Sequence, residues 1–281
     1  MTPAGDLHAR MEAADAATLL QFTAGAEPDV ANRLGQAARV DDGAVAGLVA
    51  AIDSLTLNRI VGLGCATPAS EAQLDRLLAF ARAAGARRVF VQVAPNAAPS
   101  ALAAWVMARG GQPYNAWVRL SRGLDAPPDT AATSLRLAEI PRSHAPEFAA
   151  IVRASFGMPP VLDDWLAGSV GTPGWRHLGA WDGPVLAATG VLCVQGRTAW
   201  LGYDATGPEY RGRGAQGALI AERCRLAASL GCDLATAETA EPRPDTPVPS
   251  HRNYLRFGFR QDYRRQNYAL TLGADANGPG A

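Results

Sequence analysis

The densest group of potential ligand-binding residues is Tyr-Arg-Gly-Arg-Gly-Ala-Gln-Gly-Ala-Leu at positions 210–219. Gly212 and Gly214 lack a Cβ, so their backbone N–H groups can converge on a ligand at close range. The stretch follows an apolar run and opens an amphipathic helix. The unpaired N–H groups of that helix start and its dipole favour an anion. Arg211 and Arg213 add guanidinium donors suited to phosphate, so the natural guest is a pyrophosphate. The plain alternative is a glycine turn with two solvated arginines. The gaps between Gly212, Gly214 and Gly217 match those of a dinucleotide fingerprint. However, the loop follows three hairpin-like strands rather than a lone βαβ start, and no ribose-binding acid lies at the expected distance. All 26 basic residues are Arg. Without a lysine there is no Walker A contact, no Schiff base and no amine nucleophile, so ATP is disfavoured as the ligand.

The other reactive residues are dispersed. Cys65, Cys193, Cys224 and Cys232 form no CxxC pair and share no ligand spacing with His8, His144, His177 or His251. They read as reduced core residues of a cytoplasmic protein, with no metal site. Equal numbers of acidic and basic residues, 26 each, argue against a nucleic-acid partner. The longest apolar runs, 44–52 and 185–194, are too short to span a membrane, and Asp6, Glu12 and Asp15 interrupt any leader-like stretch.

A chain of 281 residues allows two domains. The segment 124–133, rich in small residues with Pro127-Pro128, is the best linker between a first domain at 1–123 and a second at 134–281. The first half begins helical, with Leu7, Met11, Ala14 and Leu19 at helical spacing. It continues with a strand at 58–64, a helix at 72–84, a strand at 89–93, a helix at 98–108 and a strand at 116–120. The second half offers a strand at 134–140 and short helices at 146–156 and 161–170. Three strands follow at 175–181, 185–195 and 198–205, the first pair joined by the hairpin signal Asp182-Gly183. Then come a long helix at 214–230, a strand at 233–238, a short helix at 250–257 and a strand at 261–270. Both halves therefore end strand, helix, strand, helix, turn, strand, the element order of a tandem duplication.

Residues 198–270 resemble the acetyl-CoA-binding core of the GNAT superfamily of N-acetyltransferases. Pro208-Glu209-Tyr210 matches the family's entry to the loop. Arg211-Gly212-Arg213-Gly214-Ala215-Gln216 matches its Arg/Gln-x-x-Gly-x-Gly/Ala, with Gln216 in place of the final small residue. Tyr254-Leu255-Arg256-Phe257-Gly258-Phe259 matches Tyr-x-x-x-Gly-Phe. The family's asparagine four residues before the small residue of that helix is absent, and the loop 240–249 is proline-rich instead. The resemblance implies an α/β (α+β) fold of two GNAT-like domains, each a mixed, mostly antiparallel twisted sheet flanked by helices. The first lacks both motifs, so it is expected to bind no CoA and to brace or lid the second.

The resemblance also implies acetyl-CoA as cosubstrate. Its pyrophosphate would meet the amides of Arg211, Gly212, Arg213, Gly214, Ala215 and Gln216, and its pantetheine arm would pair with the backbone of Tyr203, Ala205 and Thr206. The N–H groups near 203–205 would polarise the thioester carbonyl. Tyr254, a phenol protonated at neutral pH, is the candidate acid for the leaving thiolate. Glu238 and Asp204, on facing strands of a slot, are the candidate bases, acting directly or through water. Asp163-Asp164, His144 and His251 read more simply as helix-end or surface groups. The acceptor is expected to be a primary amine of a small molecule or a peptide. A homodimer is compatible with the sequence. The competing reading is an acyl-CoA-binding sensor or scaffold module without turnover.

Overall fold

Two Asp-Gly steps turn the chain back on itself. Asp42 and Gly43, at φ 44° and 82°, join strand β1 (Gln36–Asp41) to β2 (Ala44–Val49). Asp182-Gly183 joins β7 (Trp175–Asp182) to β8 (Val185–Gln195), as the sequence predicts. There Asp182 pairs with Val185, so the loop is Gly183-Pro184 with Gly183 at φ 58°; positive φ in a two-residue loop suits the right-handed twist of a hairpin. The structure is a computed structural model and describes residues 3–273, with side chains from residue 6.

The described residues form two compact units, 3–116 with 264–273 and 117–263. These limits differ from those expected at the 124–133 segment, because two long strands each serve both units. β5 (Gln112–Gly123) starts in unit 1 and continues in unit 2, whereas β11 (Arg260–Thr271) starts in unit 2 and continues in unit 1.

Unit 1 contains helices α1 (Pro3–Ala24) and α2 (Pro28–Leu34), then β1 and β2, β3 (Arg59–Val61), α3 (Glu71–Ala83), β4 (Arg88–Val93) and α4 (Leu102–Ala108). Its strands run β1-β2-β3-β4-β11. All neighbours are antiparallel except β3 and β4. Leu74, Leu77, Leu78 and Ala81 of α3 pack on Leu48, Ile60 and Val91 of the sheet and on Leu270 from the last strand. α2, β1 and β2 are additions to the expected element order.

Unit 2 contains the end of β5, β6 (Arg136–Glu139), α5 (Ala145–Phe156), α6 (Asp163–Gly168), β7, β8 and β9 (Thr198–Thr206). It continues with α7 (Ala215–Ser229), β10 (Leu234–Ala240) and α8 (Pro249–Arg256). Its strands run β5-β10-β9-β8-β7-β6, with β9 and β10 the parallel pair. Alternate residues of these strands face opposite sides. Ala199, Leu201, Ala235, Ala237, Val118 and Leu120 face α7, packing on Ile220 and Cys224. Trp200, Thr236, Glu238 and Arg119 lie on the other side.

Candidate functional site

β9 and β10 pair from Thr198↔Leu234 to Leu201↔Ala237 and then part. Each keeps its outer partner beyond that point. β9 stays on β8 up to Thr206, and β10 stays on β5 up to Ala240. The result is a V-shaped slot in the sheet of unit 2. At the parting point β9 bulges, with the register slipping between Thr189 and Val191. Tyr203 there takes φ 52°, a conformation a bulky residue rarely adopts outside functional sites. The Thr189 hydroxyl donates to the Tyr203 carbonyl at 3.1 Å. The bulge resets the alternation, so Asp204 turns toward α7.

A cavity of about 800 Å³ opens from this point along the start of α7. Asp204, Ala205, Thr206, Arg211, Gly212 and Gly214 line it, and so do Ala215 and Gln216. These eight of the twelve residues expected at the site therefore converge. Gly212 and Gly214 both take positive φ, 80° and 78°. α7 has no side-chain N-cap and no charged residue in its first turn. Its first backbone bond runs from Ala218 N–H to the Gly214 carbonyl, so the three preceding amides have no acceptor within the helix. This donor set fits a pyrophosphate.

The other four expected residues sit elsewhere. Arg213 turns its guanidinium away from the cavity wall, donating to Asp182 Oδ2 at 2.6 Å and Ser134 Oγ at 3.0 Å. That bond holds the Asp182 carboxyl below its usual range. Tyr203 contributes the bulge. Glu238 accepts from the buried Arg119 at 3.1 Å, on the sheet face opposite Asp204. Tyr254 is 1% exposed, and its hydroxyl donates to Asp204 Oδ2 at 2.6 Å. Burial first, and the Asp204 charge second, push the phenol well above its ordinary pKa.

Asp204 is thus gripped from behind by two groups. Arg223, fully buried, donates to its Oδ1 and is itself anchored on the Leu219, Val191 and Gly202 carbonyls. A Cβ on Gly190 would meet that guanidinium at 2.7 Å, so glycine makes room for it. The front of the carboxylate belongs to the cavity. The carboxylate is thus held between the Arg223 guanidinium and the Tyr254 hydroxyl with one side on the cavity.

Some lining residues had no signal in the sequence. Ala131 and Ala132 come from the 124–133 segment, whose Thr133 hydroxyl donates to the Arg213 carbonyl at 2.9 Å. Asn253 donates to Gln216 Oε1 at 2.7 Å and ties α8 to α7. Gly217 is a packing glycine, since a Cβ there would meet the Phe257 ring at 2.6 Å. Among the described residues there is no group of three or more His, Cys, Asp or Glu able to hold a metal, and no helix long and apolar enough to cross a membrane.

No protein-family model matches the sequence, and no curated protein matches it. Solved structures do. A GCN5-related N-acetyltransferase from Kribbella flavida superposes with a TM-score of 0.65 at 17% identity, covering 95% of this chain and 98% of that one. The fold is that of the GNAT acetyltransferases. A GCN5-related N-acetyltransferase from Sphaerobacter thermophilus gives a TM-score of 0.58 at 16% identity over 92% and 91% of the two chains. A tandem GNAT protein from the clavulanic acid biosynthesis pathway gives 0.54 at 19% identity over 82% and 78%. At these identities the likeness is one of fold. The GNAT fold expected from the loop and tyrosine motifs is the one found, as a mixed, largely antiparallel sheet flanked by helices.

Proposed function

We propose that unit 2 transfers an acetyl group from acetyl-CoA to a primary amine by direct attack. One observation carries this reading. The uncapped, glycine-started N-terminus of α7 and the carboxylate of Asp204 line the same cavity, at the point where β9 and β10 part. When bound, acetyl-CoA supplies an acetyl thioester. The amides from Gly212 to Gly217 and the guanidiniums of Arg211 and Arg256 would hold its pyrophosphate, with Arg213 contributing its backbone alone. The backbone of Tyr203, Ala205 and Thr206 would pair with the pantetheine arm. An N–H of the bulge would stabilise negative charge on the carbonyl oxygen. As the C–N bond forms and the C–S bond breaks, Asp204 would accept the proton that the attacking nitrogen sheds and, with the Tyr254 hydroxyl bonded behind it, return a proton to the sulfur, so that CoA leaves as the thiol. Glu238, on the opposite sheet face, would meet the amine. Unit 1 binds no cofactor in this reading.

Calorimetry should show one acetyl-CoA site per chain, and an amine panel should release CoA thiol. Absence of binding would remove the reading. Tight binding with no thiol release from any amine would replace it with an acyl-CoA-binding module.

A further inference from the structure

We propose that the acceptor of this transfer is an amine carried on a flat, apolar, aromatic body, and that Trp200, Tyr203 and Phe156 form its subsite. This inference rests on the acetyl-transfer reading and names its substrate class. Trp200 pairs across the sheet with Thr236 of β10 and shares its face with Glu238. Its indole leans along β9 toward the slot. A Cβ on Gly202 would lie 2.0 Å from the indole Cη2, so the ring covers the glycine beside the parting point. Tyr203, thrust out by the bulge, stands edge-on to it at 5.9 Å between centroids. Phe156, the last residue of α5, stands edge-on to Tyr203 at 6.3 Å. Trp175 backs Trp200 at 6.4 Å. Phe156 is 51% exposed, and its neighbour Ser155 lines the cavity. The array therefore has a buried back and an accessible front, and tilted rings of this kind take up another ring well.

The charges around the array argue against a polycationic acceptor. Each acid at the slot already has a fully buried guanidinium partner, Asp204 with Arg223 and Glu238 with Arg119. These four groups sum to zero, so the slot offers one amine a hydrogen-bond acceptor and offers a second ammonium no excess negative charge.

The test compares tryptamine and 2-phenylethylamine with butylamine and spermidine, scored as kcat/KM by thiol release with acetyl-CoA. The aryl amines should exceed butylamine by about tenfold or more, the scale on which apolar pockets discriminate. Trp200→Ala should collapse that ratio toward one while calorimetric acetyl-CoA affinity stays unchanged. Phe156→Ser, at an exposed position with little folding cost, should reduce the ratio in the same direction. A preference for spermidine, or an aryl-to-alkyl ratio unmoved by both substitutions, overturns the proposal. If no amine reacts, calorimetry of 2-phenylethylamine on the CoA-bound protein decides. Binding lost in Trp200→Ala keeps the subsite and removes only the transfer reaction, and no binding removes both.

Discussion

The entries to α3 and α7 follow the same local plan, a strand, a glycine-containing turn and a helix beside the parallel pair of a GNAT-like sheet. They end in opposite states. At α3 the Ser70 hydroxyl accepts from Gln73 N–H at 3.1 Å, and Glu71 brings a carboxylate into the first turn. The preceding turn is laced to a neighbouring loop by Ala69 N–H to the Ala98 carbonyl and Ala98 N–H to the Gly64 carbonyl. That helix start has its own cap and its own negative charge, so it has little left for a bound anion. α7 has neither and opens on a cavity. A second pair of features repeats the contrast. Arg265 in unit 1 is fully buried with Glu12 and Asp15, a cluster closed on all sides. Arg223 in unit 2 holds Asp204 at a cavity wall. On a shared fold, capping and charge pairing thus leave the start of α3 closed and the start of α7 open to a cavity.

Removing the sealed arginine should have the largest effect. Arg265→Met takes the buried guanidinium away from two buried carboxylates and should cost about 3–5 kcal/mol of stability, read as a large fall in Tm. An unchanged Tm would contradict the closed-cluster description. The next effect separates the units by pH. Burial pushes His177 of unit 2 down to about 4, so its imidazole stays neutral in the folded chain while an unfolded one protonates near 6.5. Stability should fall as pH drops from about 6.5 toward 4, by about 3 kcal/mol, and this slope should level off below. His177→Gln should remove most of the slope in a Tm series across that range, and a slope that persists would assign it to other groups.

A smaller effect probes the open pair at Asp204. Tyr254→Phe keeps the ring on Phe259 and removes the hydroxyl. It should lower kcat about 10²-fold, about 2.7 kcal/mol, with KM for acetyl-CoA nearly constant. Full turnover would reduce Tyr254 to a packing residue. The smallest effect tests the helix entry. Gln216→Glu preserves an acceptor for Asn253 and places a negative charge at the N-terminus of α7. It should raise the Tm of the ligand-free protein slightly through the helix dipole, yet weaken acetyl-CoA about tenfold. If both change in the same direction, the loop does not bind an anion. Gly214→Asp is a poorer probe, because a Cβ there would meet the Ala132 carbonyl at 2.5 Å and would disturb the loop even without ligand.

Local signals made much of unit 2 legible in the sequence. The Arg-Gly loop, the amphipathic run of α7, the Asp182-Gly183 turn and the Tyr254 helix are each written in neighbouring residues. The β1–β2 hairpin was equally available through Asp42-Gly43. It is hard to recognise because Ala44–Val49 is buried along its whole length and shows no alternation. The pairing of the Arg213 guanidinium was hidden for a different reason. Arg213 has the right type and place for phosphate, but its partner Asp182 lies 31 residues upstream, and composition carries no trace of that pairing. Likewise the slot strands were legible, whereas the bulge at Tyr203 was not. A positive φ at tyrosine is imposed by the sheet and not by local preference. Because the bulge reverses the alternation, it also places Asp204 and Glu238 on opposite faces.

The sharing of β5 and β11 between the units has a consequence in time. Arg265 meets Glu12 across 253 positions of sequence, and Tyr268, Leu270 and Leu272 complete the core that α3 begins. During synthesis unit 1 therefore leaves the ribosome with Glu12 and Asp15 lacking the Arg265 guanidinium and with the β11 side of β4 uncovered, and it closes only once β11 has been made. Such long-range closure is slow, and an open strand edge in the interval invites pairing with another nascent chain.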